Sequence, residues 1–290
     1  MSERILILGV SGMLGNTCFE HFSHFGNFET IGTWRGSESK KIKTFDVLTH
    51  SISELISDVN PSWIINCIGI IRQKIVNFDQ VSIDNTFSVN RVFPFELASA
   101  VSNSGIKVLQ IATDCVFNGE IGGYTESFPH NAQDIYGISK SQGEVSSKEF
   151  MNLRTSIIGR EIAGNFSLIE WFLSQEYGSK VDGYVNHLWN GVTTLAFSRI
   201  ARGIIQGDNF IPGTFHVIPR NYLSKYDLLY LFRNYFDRKD LVIKSVKSSN
   251  PINRILKTNY PDQNEIFWRS AGYPEIPSIE DLIRELSAYC

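Results

Sequence analysis

Four apolar residues, Ile5-Leu6-Ile7-Leu8, run straight into Gly9-Val10-Ser11-Gly12-Met13-Leu14-Gly15, and no other stretch restricts the fold so tightly. A short, wholly apolar run predicts a strand buried on both faces, the situation inside a parallel sheet. The glycines permit a tight turn, and Leu14, Cys18, Phe19 and Phe22 then recur at helical spacing toward Gly26. Strand, glycine-rich turn and helix form a seat for the pyrophosphate of a dinucleotide: backbone N–H groups approach it and the helix N-terminus faces its charge. The spacing is GxxGxxG rather than GxGxxG, and loop glycines also serve as plain turn formers.

The pattern repeats downstream. Strands are predicted over 28–33, 42–45, 63–69 and 107–112, with helices over 52–59 and 85–101, the latter bent or restarted at Pro94. Alternating strands and helices predict an α/β chain with a doubly wound parallel sheet. Ligands of such sheets bind beyond the carboxyl ends of the strands. Gly9, Asn66 and Thr113 each stand at such an end, and small residues follow Asn66 in Cys67-Ile68-Gly69.

An NAD-preferring site carries an acid at the end of the second strand. Here that end reads Thr33-Trp34-Arg35-Gly36-Ser37. Arg35 would pair with a 2′-phosphate and Ser11 would add a hydroxyl, so NADPH is expected ahead of NADH. The competing reading of Arg35 is a solvated basic loop. Asp46, before Val47, is either an acceptor for an adenine amino group or a turn residue. Asn90 either lines the site through water or satisfies a neighbouring backbone.

Tyr136 and Lys140, at i and i+4, share one face of a helix predicted to run from Tyr136 to about Glu149. An ammonium beside a phenol favours phenolate and makes the pair a workable proton donor. Thr113 would hold the same substrate oxygen. Alone, the Tyr-x-x-x-Lys spacing is a common surface pair; here it follows a strand end and a long loop rich in Gly, Asn and acids.

Composition narrows the function classes. A formal net charge of −3 over 290 residues gives no reason to expect a nucleic-acid surface. No apolar run approaches the ~20 residues that span a bilayer, and Met1-Ser2-Glu3-Arg4 has no signal-peptide character. Cys18, Cys67, Cys115 and Cys290 form no CxxC pair, so neither a disulfide framework nor a metal site is expected. A cytoplasmic location is the simplest expectation. Further on, helices are predicted over 194–206, 226–236 (capped by Ser224) and 279–288, with a strand over 213–218. The region 237–277 reads as polar and proline-punctuated.

Taken together, GxxGxxG, Asn90, Thr113-Asp114-Cys115-Val116-Phe117-Asn118-Gly119, Tyr136-Gly137-Ile138-Ser139-Lys140-Ser141-Gln142-Gly143-Glu144, Arg154-Thr155-Ser156 and Asn165-Phe166 resemble an extended short-chain dehydrogenase/reductase. The wording is closer still to the dTDP-4-dehydrorhamnose reductase-like sugar-nucleotide reductases. The resemblance covers about residues 4–220. It implies a Rossmann domain over 1–160, with 190–218 returning to the sheet, and a smaller substrate domain made of 161–189 and 219–290. It also implies NAD(P)H reduction of the 4-keto group of a nucleotide-linked 6-deoxyhexose, with a nucleotide-diphosphate sugar as partner and a homodimer left open.

The implied catalytic set is Thr113, Tyr136, Lys140 and Asn90. The cofactor set is Gly9, Ser11, Gly12, Met13, Leu14, Gly15, Arg35, Asp46, Val47, Cys67, Ile68 and Gly69, with Tyr136 and Lys140. The substrate set is Asp114, Val116, Phe117, Asn165, His187, Trp189 and Asn190. For Trp189 a core role competes, and for His187 a structural one. Three departures stand out. Ile157 replaces an aromatic, Cys115 replaces a tyrosine, and 183–193 replaces a shorter proline-containing stretch. Two further readings stay in view. An epimerase of the same superfamily would not consume NADPH overall. A non-catalytic regulatory subunit tends to lose the Tyr or Lys that this chain keeps.

Overall fold

The computed structural model describes residues 3–25 and 27–289. The expected helix end at Gly26, the N-terminal Met1-Ser2 and the fourth cysteine, Cys290, lie outside them. β1 (Glu3–Leu8), β2 (Phe28–Trp34), β3 (Ile42–Thr44), β4 (Trp63–Asn66), β5 (Lys107–Thr113), β6 (Phe150–Thr155) and one later strand, Gly213–His216, pair in parallel. Their spatial order is Gly213–His216, β6, β5, β4, β1, β2, β3. The chain thus winds outward from β1 in both directions, and a crevice opens where the order reverses. Ile5 to Leu8 lose all solvent contact, as their unbroken apolar run requires.

Helices cover both faces. On one, α1 (Met13–His24) packs against a later helix, Thr194–Gln206, and buries Leu14, Cys18 and Phe22. On the other lie α2 (Ile52–Val59) and α4 (Phe93–Val101), whose Ile52, Leu55, Phe93 and Leu97 meet Leu6, Leu8 and Ile64. Fully burying each such side chain contributes ~1.5–3 kcal/mol before entropy is set against it.

The helix expected over 85–101 is in fact two. α3 (Gln80–Phe87) starts earlier, where Asp79 accepts from the Val81 N–H. A wide turn over Ser88–Val92 then joins it to α4. Pro94, which cannot donate a backbone hydrogen bond, sits in the first turn of α4 and opens it rather than bending it. α5 (Ile135–Gln142) stops well short of Glu149. Gly143 ends it: a Cβ there would lie 1.9 Å from the Asn90 carbonyl oxygen, so the chain passes this point only as glycine.

Beyond β6 the chain forms β7 (Ile157–Ile158), α6 (Leu168–Leu173), β8 (Lys180–Tyr184), β9 (His187–Trp189) and β10 (Val192–Thr193). It then returns to the sheet through α7 (Thr194–Gln206) and β11 (Gly213–His216). β12 (Leu223–Ser224), α8 (Lys225–Tyr235), β13 (Val242–Val246), β14 (Ile252–Asn253), α9 (Pro261–Ser270) and α10 (Ile279–Tyr289) complete it. α6, α8 and α10 enclose a separate core around Phe172, Phe232 and Ile283. The region that reads as polar and proline-punctuated, 237–277, holds two strands and α9, whose Phe267 and Trp268 are buried in the core beneath α7. Among the described residues, no helix is long and apolar enough to cross a membrane.

Candidate active site

A cavity of about 480 Å³ opens at the carboxyl ends of β1, β4 and β5. Parallel pairing sets the ends of these strands together: Leu8 stands beside Asn66, Asn66 beside Gln110, and Thr113 beside Thr155. On one side of the cavity lie Ser11, Gly12, Met13 and Leu14. Gly9 takes a φ of +85°, open to glycine at no strain. At Gly15 a Cβ would stand 2.2 Å from the Gly9 oxygen, so the turn and the first helical turn touch as only glycines can. Gly12 occupies the N-cap of α1 and provides no side-chain cap. The first N–H groups of α1 are therefore left for a ligand, and an anionic pyrophosphate fits this cradle. Cys67, Ile68 and Gly69 line the adjoining wall.

Asn66 itself faces away. Its amide joins Gln110 and the Ile68 N–H and fixes the loop that follows β4. Arg35 is exposed, on a loop pinned by Trp34 and Thr44 to the Ser37 and Gly36 carbonyls, and it forms no ion pair among the described residues. Asp46 is occupied by its own turn: its carboxylate accepts from the Leu48 N–H. Val47 lines a second hollow, with Leu48 to Ser53, away from this cavity.

The same cavity is lined by Thr113, Tyr136 and Lys140. Their meeting depends on Gly137, where a Cβ would come within 2.3 Å of the Cys115 oxygen. Glycine after Tyr136 lets the first turn of α5 lie directly on the turn after β5. Asp134 caps α5 by accepting from the Gly137 N–H and is ion-paired with Arg72. Lys140 is buried, and its ammonium donates to the Ile111 carbonyl at 3.1 Å. Burial pulls it down to about 8, against the pull of Glu144. Burial also pushes the Tyr136 phenol above its usual range; Cys115 adds to this, and the Thr113 hydroxyl partly offsets it. The expected depression of Tyr136 by Lys140 is thus not what governs the phenol: desolvation is the largest effect.

Asn90 serves as a clamp rather than a wall. Its amide bonds both the N–H and the carbonyl of Ile70 and reaches Ser139 at 3.0 Å, so it ties the β4 loop to α5. All its polar capacity toward those partners is inward, and it does not line the cavity.

The expected substrate residues divide. Asp114 and Trp189 line the cavity. Asp114 is buried, accepts from the Thr113 hydroxyl and the Cys115 thiol, and is pushed up by desolvation. The indole N–H of Trp189 donates to Ser156 at 2.8 Å. Val116 and Phe117 are instead core residues without solvent contact, Phe117 stacking on Tyr124 at 4.4 Å. Asn190 spends its amide on the Leu256 backbone, accepting and donating. His187 stacks on Tyr184 and contacts the Asn250 carbonyl, away from the cavity. Asn165 is exposed, whereas its neighbour Phe166 lines the mouth. The spacing placed these residues near the site but not their side chains, which strand pleat and loop direction decide.

Cys115, Ser156, Ile157 and Lys225 also line the cavity and were not expected there as contacts. Ile157 takes the wall position of the missing aromatic, and Trp189, reaching over from β9, furnishes an aromatic surface beside it. Lys225 follows the cap Ser224, the one signal in sequence that fixed its place at the start of a helix.

The chain and its fold are similar to known proteins. Residues 3–261 match the model of the RmlD substrate binding domain. A dTDP-4-dehydrorhamnose reductase from Aggregatibacter actinomycetemcomitans is 25% identical over 268 residues, 89% of this chain and 86% of that protein. The mouse methionine adenosyltransferase 2 subunit beta is 28% identical over 144 residues, and the match spans 49% of this chain but only 42% of that relative. A crystal structure of the Bacillus anthracis dTDP-4-dehydrorhamnose reductase in complex with NADP superposes over 100% of both chains, with a TM-score of 0.75 at 21% identity.

Proposed function

The chain belongs to the RmlD substrate binding domain family, and from that premise we propose that it reduces the 4-keto group of a nucleotide-linked 4-keto-6-deoxyhexose with NADPH. The observation that carries this reading is that Thr113, Tyr136 and Lys140 share one cavity with the glycine turn of α1. The Aggregatibacter relative and the NADP-bound Bacillus structure support both the reaction and the cofactor.

The cradle of Gly12, Met13 and Leu14 would hold the pyrophosphate, and Lys140 the nicotinamide ribose. Bound there, NADPH supplies a hydride to the carbonyl carbon. Tyr136 gives its proton to the carbonyl oxygen as charge develops on it. A phenol is already protonated at neutral pH, and burial, by pushing it higher, opposes proton release, so the role rests on Lys140 offsetting that cost. Lys140, titrating at about 8, is mostly cationic at that pH and stabilises the phenolate left behind. Thr113 has one O–H, held by Asp114 at 3.2 Å. It turns from that carboxylate to the substrate oxygen. Arg35, unpaired at the end of β2, supplies a cation for the 2′-phosphate where an NAD site would carry an acid. The three described cysteines are free, which suits a reducing compartment such as the cytosol.

The regulatory-subunit reading draws on methionine adenosyltransferase 2 beta subunits such as the mouse and rat relatives, which match about half of this chain. The retained Tyr136 and Lys140 favour chemistry. Incubation with NADPH and a panel of nucleoside-diphosphate 4-keto-6-deoxyhexoses tests the proposal. The expected result is stoichiometric NADPH oxidation with a 4-hydroxy sugar identified by NMR. A sugar isomerised without loss of NADPH would make the protein an epimerase, and no reaction with any sugar would remove the proposal.

A further inference from the structure

We propose that Lys225 and Asp114 together clamp the hydroxyl beside the substrate carbonyl, so that this site requires a hexose with a free 3-hydroxyl. The inference rests on the ketoreductase reading and adds the group a substrate must carry.

Lys225 is the first residue of α8. A cation there opposes the helix dipole, so helix stability does not account for it. Its side chain reaches the cavity wall formed by Thr113, Asp114, Cys115 and Trp189. The ammonium lies 5.4 Å from the centre of the Trp189 ring, and among the described residues it has neither a hydrogen bond nor an ion pair. The other cations of the wall differ. Arg72 is paired with Asp134, Lys140 is bonded to the Ile111 carbonyl, and Lys74 is exposed. Desolvation pulls Lys225 down to about 8, and the charge that most opposes this is Asp114.

Asp114 is the matching half. One carboxylate oxygen takes the Thr113 hydroxyl and the Cys115 thiol, and the other takes no donor among the described residues. The two residues feel each other's charge without forming an ion pair among the described residues; Arg254, whose guanidinium is bonded to the Phe117 and Asn118 carbonyls, acts on Asp114 more strongly than Lys225 does. A hydroxyl is the group that completes such a gap, because it accepts from the ammonium while donating to the carboxylate. A carboxylate there would meet Asp114 as a like charge, and a methylene would leave both partners unpaired. Position names the hydroxyl. Asp114 adjoins Thr113, which holds the carbonyl oxygen, so the clamped group is on a neighbouring carbon. In a 4-keto-6-deoxyhexose the C5 neighbour carries no hydroxyl, which leaves that on C3. When Thr113 turns to the carbonyl, this hydroxyl also replaces the donor that Asp114 gives up.

The test compares a nucleoside-diphosphate 4-keto-6-deoxyhexose with its 3-deoxy analogue, at saturating NADPH, in the wild type and in Lys225→Met. The wild type is expected to discriminate against the analogue by at least ~100-fold in kcat/KM. Lys225→Met is expected to lose ~10–100-fold on the hydroxylated sugar, mainly through KM, and little on the analogue. NADPH affinity, read by fluorescence quenching, should not change. Equal losses on both sugars, or no loss on either, overturn the clamp. So does a wild type that reduces both sugars equally well, a result that needs no variant to fold. A wild type that reduces neither sugar overturns the ketoreductase reading itself.

Discussion

At the scale of single residues the site separates chemistry from support. Tyr136, Thr113 and Lys140 face the cavity, while Asn90 holds the backbone that carries them. On the proposed mechanism, Tyr136→Phe removes only the proton donor. Turnover should fall at least ~100-fold, the usual scale for a positioned acid, while NADPH binding, measured by fluorescence quenching, stays intact. Arg35→Ala should raise the Kd for NADPH much more than that for NADH; equal effects would remove the 2′-phosphate assignment. The triad was legible because each member follows a local rule: a strand end for Thr113, a helical i,i+4 pair for Tyr136 and Lys140. The substrate side was not. Val116, Phe117, Asn190 and Asn165 have suitable chemistry, but their side chains point into core, backbone or solvent. Lys225 was invisible for the converse reason: it lies 85 positions beyond Lys140 in a helix whose face toward the cavity only the packing decides.

At the scale of elements, close approach of backbones governs the site. α5 rests on the turn after β5 at Gly137 and on the α3–α4 junction at Gly143. Gly137→Ala would push α5 off the Cys115 carbonyl and Tyr136 away from Thr113. We expect a stability loss of ~1–3 kcal/mol by urea denaturation, the scale of overpacking, together with a larger fall in kcat than in NADPH affinity. Unchanged kcat would show that α5 is not held by this contact. β1, β4 and β5 could be read from sequence because each is a largely apolar, buried run with a clear end. α9 could not: its Phe267 and Trp268 stand among polar residues, and only the fold brings them beneath α7. The end of α5 was missed for the same kind of reason, since the Asn90 oxygen that excludes a side chain at 143 is distant in sequence.

At the scale of the whole molecule, a buried cation network joins the sheet to the C-terminal segment. Arg154 donates to both oxygens of Glu144 and to the Nε2 atoms of His130 and His216. His216 in turn donates from Nδ1 to the Lys257 carbonyl at 2.6 Å. With Nε2 accepting from an arginine, His216 has no place for a second proton, and burial brings it down to about 4. Burial does the same to His21, beside Arg202 and Arg199. Both folded values lie below the unfolded one near ~6.5, so the unfolded chain binds the protons first. Their contribution is complete above that value and is lost as pH falls toward 4. The urea midpoint should therefore drop steeply between pH 6.5 and 4, and His21→Phe should make the drop shallower; a flat profile would show that neither imidazole is held neutral.

The central claim is a hydride delivered to the carbon whose oxygen Tyr136 protonates. The most direct measurement uses NADPH deuterated at the transferring C4 position and a nucleoside-diphosphate 4-keto-6-deoxyhexose, with the product read by NMR and mass spectrometry. One deuterium at sugar C4 for each NADPH oxidised is the predicted result. A product without deuterium, or a sugar changed while the labelled cofactor persists, would contradict it.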